Sequence, residues 1–306
     1  MEDELNATII TLAGHVEVYK YRFLYFVIMF IVYMLIICSN VSIICLVLLH
    51  HNLHEPMYIF IAALLLNSIL YSTNIFPKLL IDFLSAKQII TYQACLFQCF
   101  LYYSLSGSEM LLLAAMSYDR YVSICKPLQY PTIMRKTTVS LFLALAWIVP
   151  GCQLAVPVIY SANAELCNFV LNGIFCNNSA YKLHCVSSNV LSVYGVIVLV
   201  NTIFSPMVFI LFTYTKILRI TYRSCGEVRR KAAQTCLPHL MVLINFSCLV
   251  TYDVIIVKLE SDFSKTVRLI MSLQMIVYHP LFNPIIYGLK MNEISKHFKM
   301  LLCQHR

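Results

Sequence analysis

The sequence predicts an all-α membrane protein: a seven-transmembrane helix bundle with a short amphipathic C-terminal helix on the inner membrane surface. Three observations predict it. Of 306 residues, 60% are hydrophobic and 12% charged, about half the ~25% charge of a soluble domain, and the mean hydropathy is +0.78. The apolar residues fall into seven runs, each long enough for the ~20 residues that cross a bilayer. Lysines and arginines gather in alternate connections between the runs. Together these exclude a soluble enzyme, a large extramembrane domain and a disordered chain. Seven glycines and ten prolines leave no room for linkers.

Residues 1–22 read as a mostly polar N-terminal tail carrying Glu2, Asp3, Glu4 and Glu17. The first run, 23–49, is too long for a signal-peptide core and has no small-residue cleavage site. The others are 57–80, 92–125, 139–160, 190–218, 232–257 and 263–289. All are far longer than barrel strands, so each reads as a helix, and 23–289 forms the membrane domain. In residues 290–306, Met291, Ile294, Phe298 and Leu301 share one face of a short helix lying on the membrane. Cys303 ends it, either palmitoylated or unmodified.

Seven spans put the termini on opposite sides. With the N-terminus outside, most of the 22 basic residues lie inside, including Arg135, Lys136, Arg219, Arg229, Arg230, Lys231 and Lys296. Topogenic sorting accounts for them; a basic third inner loop and tail also suit an acidic cytosolic partner. The net charge of +8 therefore points to a membrane and not to nucleic acid. Four of the 13 cysteines lie outside: Cys95, Cys167, Cys176 and Cys185. Two bridges in any of three connectivities are open to them. Asn6-Ala7-Thr8 is a glycosylation sequon on the outer tail; Asn177-Asn178-Ser179 abuts Cys176.

Specific runs then converge. The second helix opens Leu53-His54-Glu55-Pro56-Met57-Tyr58 and later has Pro77-Lys78. The third ends Met116-Ser117-Tyr118-Asp119-Arg120-Tyr121-Val122-Ser123-Ile124-Cys125-Lys126-Pro127-Leu128. The sixth begins Lys231-Ala232-Ala233-Gln234-Thr235-Cys236-Leu237-Pro238-His239-Leu240, and the seventh holds Pro280-Leu281-Phe282-Asn283-Pro284-Ile285-Ile286-Tyr287. By these runs the chain resembles rhodopsin-like (class A) G-protein-coupled receptors, and among them the odorant, or olfactory, receptors. Asn67-Ser68 and Phe246-Ser247-Cys248 resemble the fish branch.

The resemblance implies a plasma-membrane receptor that makes and breaks no covalent bond. A small-molecule odorant settles in the outer half of the bundle, and a stimulatory heterotrimeric G protein of the olfactory type docks inside and raises cAMP. The switch residues it implies are Asp119, Arg120, Tyr121, Tyr214, His239, Asn283, Pro284 and Tyr287. An arginine at a membrane edge needs a partner and exchanges partners readily. Pro284 removes a backbone donor, and Asn283 can serve the freed carbonyls. The ligand-binding positions it implies are Tyr102, Tyr103, Ser106, Gly107, Val198, Thr202, Ser247, Val250, Thr251, Val254, Lys258, Leu269 and Leu273, apolar walls with a few polar groups. It also implies the bridges Cys95–Cys176 and Cys167–Cys185. Gly173 and Asn177 depart from the family's His and Asp in that loop.

Glu109 stands about three turns above Arg120, deep in the membrane, where a carboxyl is costly and marks function. Related receptors pair an acid here with a second-helix aspartate to hold sodium; this chain has Ser68 there, with Asn67 beside it. Two readings stand: a weak sodium site at Glu109 with Ser68 and Asn67, or a protonated, hydrogen-bonded carboxyl. No other cofactor is expected. Lys258, with Arg268 nearby, reads either as an anchor for an anionic odorant or as a lysine snorkelling to lipid headgroups. His50, His51 and His54 read as loop structure. Val277 stands where an opsin carries its retinal lysine, and Tyr102 where an amine receptor carries aspartate. A non-olfactory chemoreceptor of the same fold is the alternative. A channel or transporter is a distant one, since the spans show no inverted repeat.

Overall fold

A computed structural model of the chain describes residues 8–16, 18–186, 188–222, 236–237, 240–244, 247 and 264–290. Its long helices are α1 (Val18–Leu49), α2 (Pro56–Leu84), α3 (Tyr92–Cys125), α4 (Lys136–Ala162), α5 (Asn189–Tyr222), α6 (helical at 240–244) and α7 (Lys265–Lys290). All but α6 are long and apolar enough, among the described residues, to cross a membrane. The seven-helix bundle that the hydropathy predicts is the fold.

The ends of the helices follow from local chemistry. α2 begins with Pro56 at its first position, where a missing N–H costs nothing. The Thr91 side chain caps α3 by accepting from Ala94 N, and Ser188 caps α5 by accepting from Leu191 N. α3 stops at Lys126, before Pro127. α1 is broken at Tyr21, so its regular part begins beside the exposed apolar side chains Phe23 and Leu24. Within α5, Val200–Phe204 forms a π turn, two residues before Pro206, whose missing N–H weakens the ordinary ladder.

α3 is the central helix and packs on α2, α4 and α5, while α7 packs on α1 and α2. Most of α2 and α3 is buried, whereas α1, α4 and α5 turn large apolar side chains outward. Phe23, Leu35, Ile148, Val193 and Phe212 are among them, a surface suited to lipid.

The N-terminal tail differs from its expected form. Its second part is strand β1 (Ile9–Leu12), which lies between β2 (Ile89–Thr91) and β3 (Val170–Leu171). β1 is antiparallel to β2, with Ile10 opposite Ile90, and parallel to β3, with Leu12 opposite Leu171. Ile10 and Leu12 point into a small core with Leu96, Leu171 and Leu183, while Ile9 and Thr11 face out. The alternation is that of a sheet buried on one face. This sheet covers one end of the bundle, called here the sheet end; the opposite end carries Arg120. Asn6, the amphipathic segment after Lys290 and Cys303 lie outside the described residues.

Candidate ligand and coupling sites

At the sheet end, two disulfides hold the segment between α4 and α5. Cys95–Cys176 ties it to the top of α3, and Cys167–Cys185 closes it on itself beside a Leu166–His184 bridge. Amide bonds add to the first tie. Cys176 N donates to Gln98 Oε1 (2.9 Å), and Asn178 N donates to Tyr103 Oη (3.1 Å). Gln98 and Asn74 exchange bonds between α3 and α2, each side-chain amide donating to the other's backbone carbonyl at 3.0 Å.

These ties press Phe175 onto Tyr102, with ring centres 5.1 Å apart. Tyr102 also meets Tyr71 at 5.3 Å and Tyr103 at 4.8 Å. Leu269 and Leu273 of α7 belong to the same cluster, as do Phe76 and Leu79 of α2 and Ile36 of α1. Four predicted ligand positions, Tyr102, Tyr103, Leu269 and Leu273, are thus brought together. Gly107 and Thr202 form a second group across α3: a Cβ on Gly107 would stand 2.9 Å from Pro150 and 3.5 Å from Thr202. Ser106 Oγ donates to Tyr102 O and Thr202 Oγ1 to Val198 O. Val198 is buried just N-terminal to the π turn. Ser247 of α6 donates to Leu243 O and lies beside Met207. Val250, Thr251, Val254 and Lys258 lie outside the described residues.

Midway along the bundle, Glu109 is fully buried. Asn283 Nδ2 donates to Glu109 Oε1 (3.1 Å) and to Ser68 Oγ (3.0 Å), joining α7 to α3 and α2. Asn67 is engaged elsewhere: its amide donates to Leu105 O and accepts from Trp147 Nε1. Here one carboxyl and one hydroxyl converge, and the third neighbour turns an N–H to both. Among the described residues no three His, Cys, Asp or Glu side chains gather for a metal. Of the predicted set, Glu109 and Ser68 are thus brought together through Asn283, and Asn67 is not. Asn40 Nδ2 reinforces this level by donating to Pro280 O (3.0 Å), beside the proline that opens the α7 ladder.

At the other end, Asp119 is fully buried and Arg120 nearly so. Arg120 donates to Asp119 Oδ2 through Nε (3.0 Å) and Nη2. The remaining oxygen, Oδ1, accepts from the Tyr130 hydroxyl (2.7 Å). Tyr130 opens the helical turn Tyr130–Ile133 between α3 and α4. Burial first, then the Asp119 carboxylate, keep this phenol protonated well above the ordinary tyrosine range. Tyr214 of α5 and Tyr287 of α7 share one core with Met110, Leu113 and Met116 of α3. Among the described residues the buried Tyr214 hydroxyl has no hydrogen-bond partner, a donor available to a rearranged bundle. Pro284 is buried and Tyr121 half-buried; His239 lies outside the described residues.

Phe175, Tyr71, Gln98, Asn74 and Tyr130 join these sites only in the folded chain. Gln98 and Asn74 carried a signal, being polar side chains inside apolar runs, and such groups find partners in a membrane. Tyr130 carried none, because its contact depends on the path of the loop.

This arrangement defines a class: a seven-helix receptor with a disulfide-held cover at one end and an acid–arginine pair at the end of α3. Comparison with known proteins narrows it. The family model for "Olfactory receptor" matches residues 29–305. The chain is 34% identical to human olfactory receptor 13C2 over 303 residues, covering 95% of this chain and 93% of that one. It is 33% identical to human olfactory receptor 11G2, covering 91% and 81%. With human olfactory receptor 11A1 it shares 33% over 95% and 93%. The chain belongs to the olfactory receptor family of G-protein-coupled receptors; it is a multi-pass membrane protein and not an enzyme.

Proposed function

We propose that the chain binds a small, largely apolar odorant beneath the sheet end and activates a stimulatory, olfactory-type G protein at the Arg120 end, raising cAMP. The observation that carries this reading is the use of one helix for both tasks. α3 carries Tyr102 under the disulfide-held Phe175, Glu109 bonded to α7 at mid-depth, and Arg120 at its far end. A ligand wedged among Tyr71, Tyr102, Phe175 and Leu269 would shift α3 against α7. The Asn283 bonds to Glu109 and Ser68 are where that shift is felt. Release of Arg120 from Asp119 then frees its guanidinium for the G protein, with Tyr214 as an alternative partner.

The orientation follows from chemistry. Cystines persist in oxidising compartments, which supports a sheet end and N-terminus facing outside, and the basic connections support a cytosolic Arg120 end. The outward apolar faces of α1, α4 and α5 meet lipid. The test is a cAMP reporter assay in cells supplying the olfactory-type G protein, screened with water-soluble acids, amines and neutral odorants, with Arg120→Ala beside the native chain. The expected result is a ligand-dependent rise that Arg120→Ala abolishes. A rise that the variant retains in full would overturn the coupling role of Arg120.

A further inference from the structure

β1 is the middle strand of the cover, and its backbone is the main fastening. Thr11 N donates to Phe169 O (2.8 Å), Leu12 N to Gln88 O (2.8 Å), Ala13 N to Leu171 O (2.7 Å) and Gly14 N to Gly173 O (3.2 Å). Gly14 lies so close to Gly173 that a Cβ would stand 2.5 Å from its carbonyl carbon. The next residue, His15, packs edge-on against Phe83 of α2, ring centres 5.8 Å apart. Both of its ring nitrogens are shielded from water and lack a hydrogen-bond partner among the described residues.

A neutral imidazole tolerates that place, and an imidazolium does not. Among the described residues its second N–H would also lack an acceptor, and its charge would lie away from water and beside a lysine. The charged group that faces it is Lys78 of α2, paired in turn with Asp82. Burial above all, with Lys78 adding to it, lowers the His15 pKa to about 4; the nearby Leu12 carbonyl opposes the shift without reaching hydrogen-bond geometry. Glu17, two residues on, lies outside the described residues.

The other histidine of the cover behaves differently. His184 Nε2 lies 2.8 Å from the Tyr92 hydroxyl, whose proton is directed to Ser161 O at 2.8 Å. Nε2 is therefore the donor, and it keeps its bond when the ring is protonated. Burial lowers the His184 pKa too, but its charging breaks no contact.

We propose that protonation of His15 releases the N-terminal strand, so that the cover of the sheet end opens in mildly acidic water; this rests on the reading of that end as the ligand side. The sign follows from linkage. The pKa with the cover closed lies below the ordinary 6.5, so the closed state is fully stabilised above that value and loses stability as pH falls towards 4. From about pH 7.4 to about pH 5, the open-to-closed ratio rises on the order of 30-fold.

The test is hydrogen–deuterium exchange of the full chain in lipid nanodiscs, read on the peptide covering residues 9–14. Protection is expressed against an unstructured peptide at the same pH. The native chain is expected to lose protection by the factor above. His15→Phe, which keeps an aromatic ring against Phe83, is expected to hold its protection at both values, while Glu17→Gln and His184→Gln behave as native. Unchanged native protection overturns the proposal. So does an equal loss in His15→Phe, or a response abolished by Glu17→Gln or His184→Gln. Should His15→Phe not fold, His15→Gln serves in its place with the same expectations. The readout needs no agonist, so failure of the ligand reading would show separately, in the cAMP screen.

Discussion

Asp119 is the most heavily engaged side chain at the Arg120 end. Both oxygens are occupied, Oδ2 by Arg120 and Oδ1 by Tyr130. A hydrogen bond to a charged group contributes about 1.5–3 kcal/mol, part of which water recovers at a half-exposed phenol. Tyr130→Phe removes this bond alone. It is expected to raise agonist-free cAMP several-fold in cells carrying the olfactory-type G protein, with surface level unchanged. Equal basal signals from the variant and the native chain at matched expression would show that Tyr130 does not hold the resting pair. A second residue-scale expectation concerns Phe175, the ring that the Cys95–Cys176 bridge presses onto Tyr102. Aromatic pairs contribute about 0.5–1.5 kcal/mol beyond their area. Phe175→Ala is expected to weaken agonist potency by about tenfold and leave the maximal response intact. Loss of the maximum at unchanged potency would place Phe175 in transmission instead of binding.

At the scale of elements, the sheet and its bridges fasten the sheet end of the bundle, the side proposed for the ligand. Cys95–Cys176 spans 81 residues and Cys167–Cys185 spans 18, so loop-closure entropy gives about 4.5 and about 3 kcal/mol. Replacing Cys95 by Ser is expected to abolish surface expression, and replacing Cys167 and Cys185 together to reduce it. The reverse order, read by flow cytometry of an N-terminal tag, would contradict this. Gly14→Ala tests β1 directly, since its Cβ has no space beside Gly173. Exchange protection of residues 9–14 is expected to fall while that of α3 stays native.

These elements also show what the sequence makes legible. The run 92–125 coincides with α3, because a cap at Thr91 and a break at Pro127 flank a continuous apolar stretch. In the sequence, β1 is indistinguishable from a polar tail. Its four residues are too short for a periodic signal, and its partners lie about 80 and 160 positions away, so only the folded chain brings them together. The same holds for the sites. Asp119 and Arg120 stand out in a local run; Tyr130 and Phe175 acquire meaning only from how the loops lie. Asn67 sits beside Ser68 in sequence, yet one helical step turns it to Trp147 and away from Glu109.

At the scale of the molecule, α3 crosses between a site with few charges and one with several, and a carboxyl–amide bond ties it to α7 at mid-depth. That layout separates recognition from coupling, which is the central claim. The measurement that tests it most directly combines binding of a radiolabelled agonist to the receptor in nanodiscs with the cAMP response, for native chain, Tyr102→Ala and Arg120→Ala. The account predicts that Arg120→Ala binds agonist within a few-fold of native and gives no cAMP, while Tyr102→Ala loses affinity about tenfold or more and still reaches a response at saturating agonist. Binding lost in Arg120→Ala, with Tyr102→Ala indistinguishable from native in affinity, would contradict it.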